Sequence, residues 1–263
     1  MSYSDLEGVH VDVSAGVATV SLRFRPGDEV TRRHQHRELT TIWRRFDADP
    51  EIASVLVTGP EDGDFYLSGK PSGRPPLAGD QLWEMIQRLE REGSGIVTEM
   101  AAFTKPVVAA VRGTAAGAGL AVVLLADISV VSEDATLFDP HTMLGISAGD
   151  GALALLPLLI GMSKAKLYLL TSDALGGAEA ERLGLVSRAV PDGETFAVAE
   201  AYAKRLAAGP ATAMRFTKKA LNQWYKLTGL VSQDYSMALQ LLSEFSGERV
   251  GGPYAPFPPE KIP

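Results

Sequence analysis

From Pro106 to Val131 the chain reads PVVAAVRGTAAGAGLAVVLLADISVV, an apolar stretch interrupted by little more than Arg112 and Asp127. The pattern predicts a strand over Val107–Val111, a glycine-containing turn, an apolar helix from about Gly117, and a second strand over Ile128–Val131. Strand and helix alternate in this way through the first 190 residues, and helical patterns dominate afterwards. That order implies an α/β fold with a helical C-terminal region.

The flanking segments agree. Val9–Val13 and Val17–Leu22 are β-prone runs separated by Ser14-Ala15-Gly16, as in a hairpin. Asp28 or Thr31 can cap a helix over residues 32–46, whose stripe is Leu39, Ile42, Trp43 and Phe46. Ser54–Thr58 reads as a short buried strand. Residues 60–80 form a loop by composition, and 81–103 an amphipathic helix expected to break around Gly93-Ser94-Gly95. A further strand is expected near Val186–Val190. We divide the chain into a core over 1–195 and a helical region over 196–263, whose tail from Gly251 carries five prolines and is extended.

Charge and composition remove several classes of function. Net charge is −7, which argues against nucleic-acid binding and against docking on an anionic membrane. The chain has no cysteine, so thiol nucleophiles, disulfides and Cys-based zinc sites are excluded. The start, MSYSDLEG, lacks the pattern of a signal peptide, and the run Ala115–Ala126 is too short to span a bilayer. A cytoplasmic protein is expected. His34 and His36 are two residues apart on a helix and face apart, so no metal site is expected from them.

The segment Lys105–Pro191 resembles the crotonase superfamily, the enoyl-CoA hydratase/isomerase family. It carries, in order, the KP-strand, the small-residue turn GTAAGAG, an apolar helix ending in an AD-strand, Leu144-Gly145, Leu159-Ile160-Gly161 and Ala180 leading to Gly184-Leu185-Val186. Val55–Gly69 extends the likeness upstream. The resemblance implies a spiral of ββα units with a C-terminal helical region that mediates trimers, often stacked into hexamers. It also implies acyl-CoA substrates, with coenzyme A entering as part of the substrate rather than as a bound cofactor. Arg25 and Lys70 are candidates to meet its phosphates, although surface positions suit them equally.

Enzymes of this family hold an enolate oxygen with two backbone N–H groups. By resemblance these belong to Ser68, in Tyr-Leu-Ser-Gly, and Ala118, in Gly-Ala-Gly. Small residues let a carbonyl approach the backbone, and a helix N-terminus favours negative charge. The same small residues also suit close helix–strand packing. The two glutamates that hydratases use correspond here to Ala121 and His141. His141, with Asp150 nine residues on, resembles the His/Asp arrangement of 6-oxocamphor hydrolase, which cleaves a carbon–carbon bond in a cyclic β-diketone. His36 resembles a further histidine of that enzyme. Asp150 also fits as the N-cap of the following helix, and His36 as a structural residue. Three functions remain: an acyl-CoA enzyme working through an enolate, a cofactor-free β-diketone hydrolase, and a silent binding or assembly protein.

Overall fold

The computed structural model describes residues 1–23, 28–60, 63–66, 79–149 and 151–244. Strands β1 (Val9–Ser14) and β2 (Val17–Leu22) form an antiparallel hairpin through Ala15 and Gly16, both at positive φ. Paired positive φ values match the twist of the flanking strands. Helix α1 (Glu29–Ala48) follows, with Asp28 as its N-cap accepting from the Thr31 N–H at 2.9 Å. Next come β3 (Ser54–Thr58), α2 (Gly79–Ala102), β4 (Val107–Val111), β5 (Thr114–Ala116) and α3 (Ala118–Leu125). The chain continues through β6 (Ile128–Ser132), β7 (Thr136–Phe138), α4 (Ala152–Thr171), β8 (Leu175–Gly176), α5 (Gly177–Leu183) and β9 (Arg188–Val190). It closes with α6 (Thr195–Ala207), α7 (Ala211–Trp224), a π-helical turn over Tyr225–Leu230 and α8 (Val231–Glu244).

The main sheet has the order β1-β2-β3-β4-β6-β9, parallel from β2 onward. Its central strands β3 and β4 are buried on both faces, and they are correspondingly apolar on both. Val55, Val57, Val107, Ala109 and Val111 pack towards Trp43, Phe46, Ile96, Met100 and Leu120. Leu56, Val108, Ala110 and Val130 pack on the other side against Ala199 and Ala203 of α6. A smaller sheet of order β5-β7-β8 stands beside it.

Helix α2 runs unbroken through Gly93-Ser94-Gly95, contrary to the expected interruption. Gly95 serves packing instead: a Cβ there would lie 2.9 Å from Cγ2 of Thr40 on α1. Helix α4 is long and apolar enough to cross a membrane by composition alone, but Gly161 (φ 77, ψ 157) kinks it. Its Leu155, Leu156 and Leu169 belong to the core.

Helix α7 docks through polar groups. Lys218, buried, donates from Nζ to the Lys105 carbonyl at 2.8 Å and to Asp127 Oδ2 at 2.7 Å. Asp127 Oδ2 also accepts from the Val107 N–H at 2.7 Å, which ties the start of β4 to the start of β6. Asn222 donates to the Ala101 carbonyl. Burial lowers the pKa of Lys218 against the pull of Asp127. Meanwhile Phe216, Leu221 and Trp224 of α7, with Leu227 beyond it, face outward.

Removing a buried partner strands the other polar groups. Lys218→Ala should therefore lower unfolding free energy by about 3 kcal/mol. The exposed control Lys164→Ala should stay within about 0.5 kcal/mol, both read by urea denaturation.

Candidate active site

The site is built where three parallel segments end together. Tyr66 bridges Ala115 of β5 in parallel, and β5 pairs in parallel with β7, with Ala116 opposite Phe138. The first segment is held tightly. Phe65 N–H donates to the Arg112 carbonyl at 3.0 Å, Tyr66 N–H to the Thr114 carbonyl at 3.0 Å, and Ala116 N–H to the Tyr66 carbonyl at 2.9 Å. Asp64 Oδ1 accepts from the Thr114 N–H at 2.7 Å. Two residues beyond Ala116 stands Ala118, and three beyond Phe138 stands His141. Carboxyl ends of neighbouring parallel strands are where α/β proteins place ligands.

The turn into α3 depends on glycine at two positions. Gly117 adopts φ 57, ψ −120, which residues with a side chain rarely do. At Gly119 a Cβ would meet Tyr66 Cβ at 2.5 Å and the Tyr66 carbonyl oxygen at 2.9 Å. Ala118, the first residue of α3, is buried, and the first N–H groups of a helix have no intrahelical acceptor. The Gly117 N–H reaches the Phe138 carbonyl at 3.4 Å, so the two segment ends touch.

His141 is buried at 5 % exposure and opens a 3₁₀ turn over Thr142–Leu144. Its carbonyl accepts from Leu144 N–H at 2.9 Å and Ile146 N–H at 3.0 Å. Its Nδ1 lies 2.8 Å from Oδ1 of Asp139, a residue that sequence reasoning did not single out. The signal was present as Asp139-Pro140-His141, because Asp followed by Pro favours a turn closed by the Asp side chain onto the N–H two residues on. That bond forms, at 3.0 Å.

Other expected residues fall as follows. Ser68, Lys70, Arg25 and Asp150 lie outside the described residues. The N-cap position of α4 is held by Gly151 at φ 95, not by Asp150. Ala121 is buried, and its methyl lies 3.6 Å from where a Cβ on Gly151 would stand. His36 points inward from α1, as its helix face suggested, and its Nδ1 lies 3.3 Å from Glu92 Oε2 of α2. No contact among the described residues joins it to His141.

Helix α8 braces the segment after the 3₁₀ turn. Gln233 Nε2 donates to the Gly149 carbonyl at 2.7 Å, and Ser243 Oγ accepts from the Ser147 N–H at 2.8 Å. A Cβ on Gly149 would lie 2.1 Å from Gln240 Oε1. A cleft of about 180 Å³ lined by Val123, Asp127, Ser129, Ser187 and Tyr225 lies at the other, C-terminal end of α3 and is separate from this site.

Residues 12–249 match the family model described as enoyl-CoA hydratase/isomerase, so the chain belongs to the enoyl-CoA hydratase/isomerase family, within the crotonase superfamily. A relative, the short-chain-enoyl-CoA hydratase of Clostridium acetobutylicum, is 26% identical over 251 residues, covering 93% of this chain and 90% of its own. The crystal structure of an enoyl-CoA hydratase/isomerase from Mycobacterium paratuberculosis superposes with TM-score 0.79 at 30% identity, over 92% of this chain and 95% of that one. A β-diketone hydrolase from Anabaena, bound to (S)-3-oxocyclohexyl acetic acid, shares the fold with TM-score 0.78 at 24% identity, over 93% and 96% of the two chains.

Gly119→Ala should push Tyr66 away from the α3 turn. The expected stability loss is about 1–3 kcal/mol by thermal unfolding, with ligand binding at the Ala118 turn weakened in calorimetry.

Proposed function

We propose that the chain acts on an acyl-CoA through an enolate, holding the thioester oxygen with the N–H groups of Ser68 and Ala118 while His141 moves a proton. The observation that carries this reading is the parallel alignment of Tyr66, β5 and β7. Tyr66 leads within two residues to Ser68, and the other two segments lead to Ala118 and to a buried histidine with a carboxylate behind it. Each N–H donor aimed at a developing oxyanion contributes about 3 kcal/mol in a water-excluded site. His141 then takes or returns the proton on the α- or γ-carbon.

With Ala121 and His141 at the positions of the hydratase glutamates, two-carboxylate delivery of water is not the chemistry these residues supply. Isomerisation, hydration by other groups and cleavage remain within their reach. Arg25 and Lys70 are proposed to meet the coenzyme A phosphates, Asp150 to act with His141, and His36 to line the site from α1. The coenzyme A is substrate, and no bound cofactor is required.

A second reading is a β-diketone hydrolase, favoured by the buried His–carboxylate pair and by the fold shared with the Anabaena enzyme. There His141 would deprotonate a water that attacks one carbonyl. The carbon–carbon bond breaks, the enolate leaves into the two N–H groups, and the proton returns to its carbon.

Thermal unfolding with a short enoyl-CoA at a hundred times its dissociation constant should add ~2.7 kcal/mol. His141→Gln should keep that shift and lose turnover. A shift with a cyclic β-diketone and none with the thioester or free coenzyme A would transfer the assignment to the hydrolase. No shift with any of them would leave the silent assembly protein.

The outward apolar side chains Phe216, Leu221, Trp224 and Leu242 favour burial against further copies of the chain, and the assembly proposed is the homotrimer, or hexamer of two trimers, that the family resemblance implies. Light scattering should give three or six times 28.0 kDa. Leu221→Asp combined with Leu242→Asp should return the single-chain mass.

A further inference from the structure

We propose that Asp139 is the positioning residue of the site, fixing His141 in the tautomer with hydrogen on Nδ1 so that Nε2 serves the reaction. The inference deepens the proposed function and rests on its reading of His141 as the proton carrier.

One oxygen, Oδ1, takes both contacts: the backbone N–H of His141 at 3.0 Å and the ring Nδ1 at 2.8 Å. The carboxylate side chain is 1% exposed and the imidazole 6%. Pro140 between them fixes one backbone angle of the turn. The His141 backbone is held from the other side by the Leu144 and Ile146 N–H groups. Backbone and Nδ1 are therefore both anchored, and the ring has one orientation in which Oδ1 stays bonded.

Closing such a turn does not require a carboxylate, because an asparagine oxygen accepts the same N–H. Oδ2 of Asp139 is buried with no hydrogen-bond partner. A buried carboxylate with one oxygen unengaged is costly unless its charge does something. Facing an imidazole, it stabilises the protonated ring that forms when Nε2 accepts a proton.

The test uses the full chain with ¹⁵N-labelled histidine. It has four histidines, and the His141 signals are those lost in His141→Gln. In the unaltered protein the His141 ring should carry its neutral-state hydrogen on Nδ1. Asp139→Ala should move it wholly or partly to Nε2, whereas Asp139→Asn should keep the turn and the tautomer but lose the charge. On an accepted thioester or diketone, Asp139→Asn should lower kcat by roughly tenfold or more with KM nearly unchanged, since a charged acceptor bonds about twice as strongly as a neutral one.

A His141 ring that keeps hydrogen on Nδ1 in Asp139→Ala overturns the proposal. So does an unchanged kcat in Asp139→Asn. Should Asp139→Ala not fold, the Asp139→Asn kcat decides. The ring spectrum needs no substrate, so a tautomer that follows Asp139 in a protein turning over nothing would sink the proposed function, and with it the role of Nε2, and leave only the tautomer assignment standing.

Discussion

The site depends on a very short piece of parallel pairing. Three residues of β5 pair with three of β7, and Tyr66 pairs on the far side. These few hydrogen bonds decide that the glycine turn, the His141 turn and the segment after Tyr66 emerge at one place. Side chains only refine what the ladder has aligned. Gly119 completes the arrangement by letting α3 approach the Tyr66 backbone closely, as a residue with a Cβ does not.

The large sheet makes that alignment rigid. With both faces covered, its central strands cannot slip by one residue without exchanging Val55 and Val57 for Leu56, moving each into the wrong core. Buried charges bind the layers further. Lys105 donates to the Phe46 and Asp49 carbonyls at the end of α1, while its own carbonyl accepts from Lys218 of α7. Two lysines thus link the first helix, the centre of the sheet and the C-terminal helices.

Much of this was legible in the sequence where the signal was local. Val107–Val111, the helix from Ala118 and the Asp28 cap could be read from short apolar runs and capping chemistry. The first helix begins at Glu29, three residues before the expected start at residue 32, because a solvated first turn has no pattern to read. Gly93-Ser94-Gly95 misled, since a glycine that breaks a helix and one that lets two helices touch look alike without the neighbour. His141 was visible through family likeness. Asp139 was not, because its role lies in a contact that only the folded turn creates. The pairing of Tyr66 with β5 was equally hidden in a segment that composition marks as loop.

Helices α7 and α8 have an amphipathicity turned inside out: Lys218, Asn222, Gln233, Ser236 and Gln240 face the body, while Leu221, Trp224, Tyr235 and Leu242 face away. Apart from Met237, the side chains that α8 buries are polar, so it gains little from water's exclusion on that side. Covering of the outward face, as in the proposed assembly, would therefore firm its hold on Ser147 and Gly149. The loop that follows His141 would in this sense be tuned from outside, by the covering of a distant greasy surface.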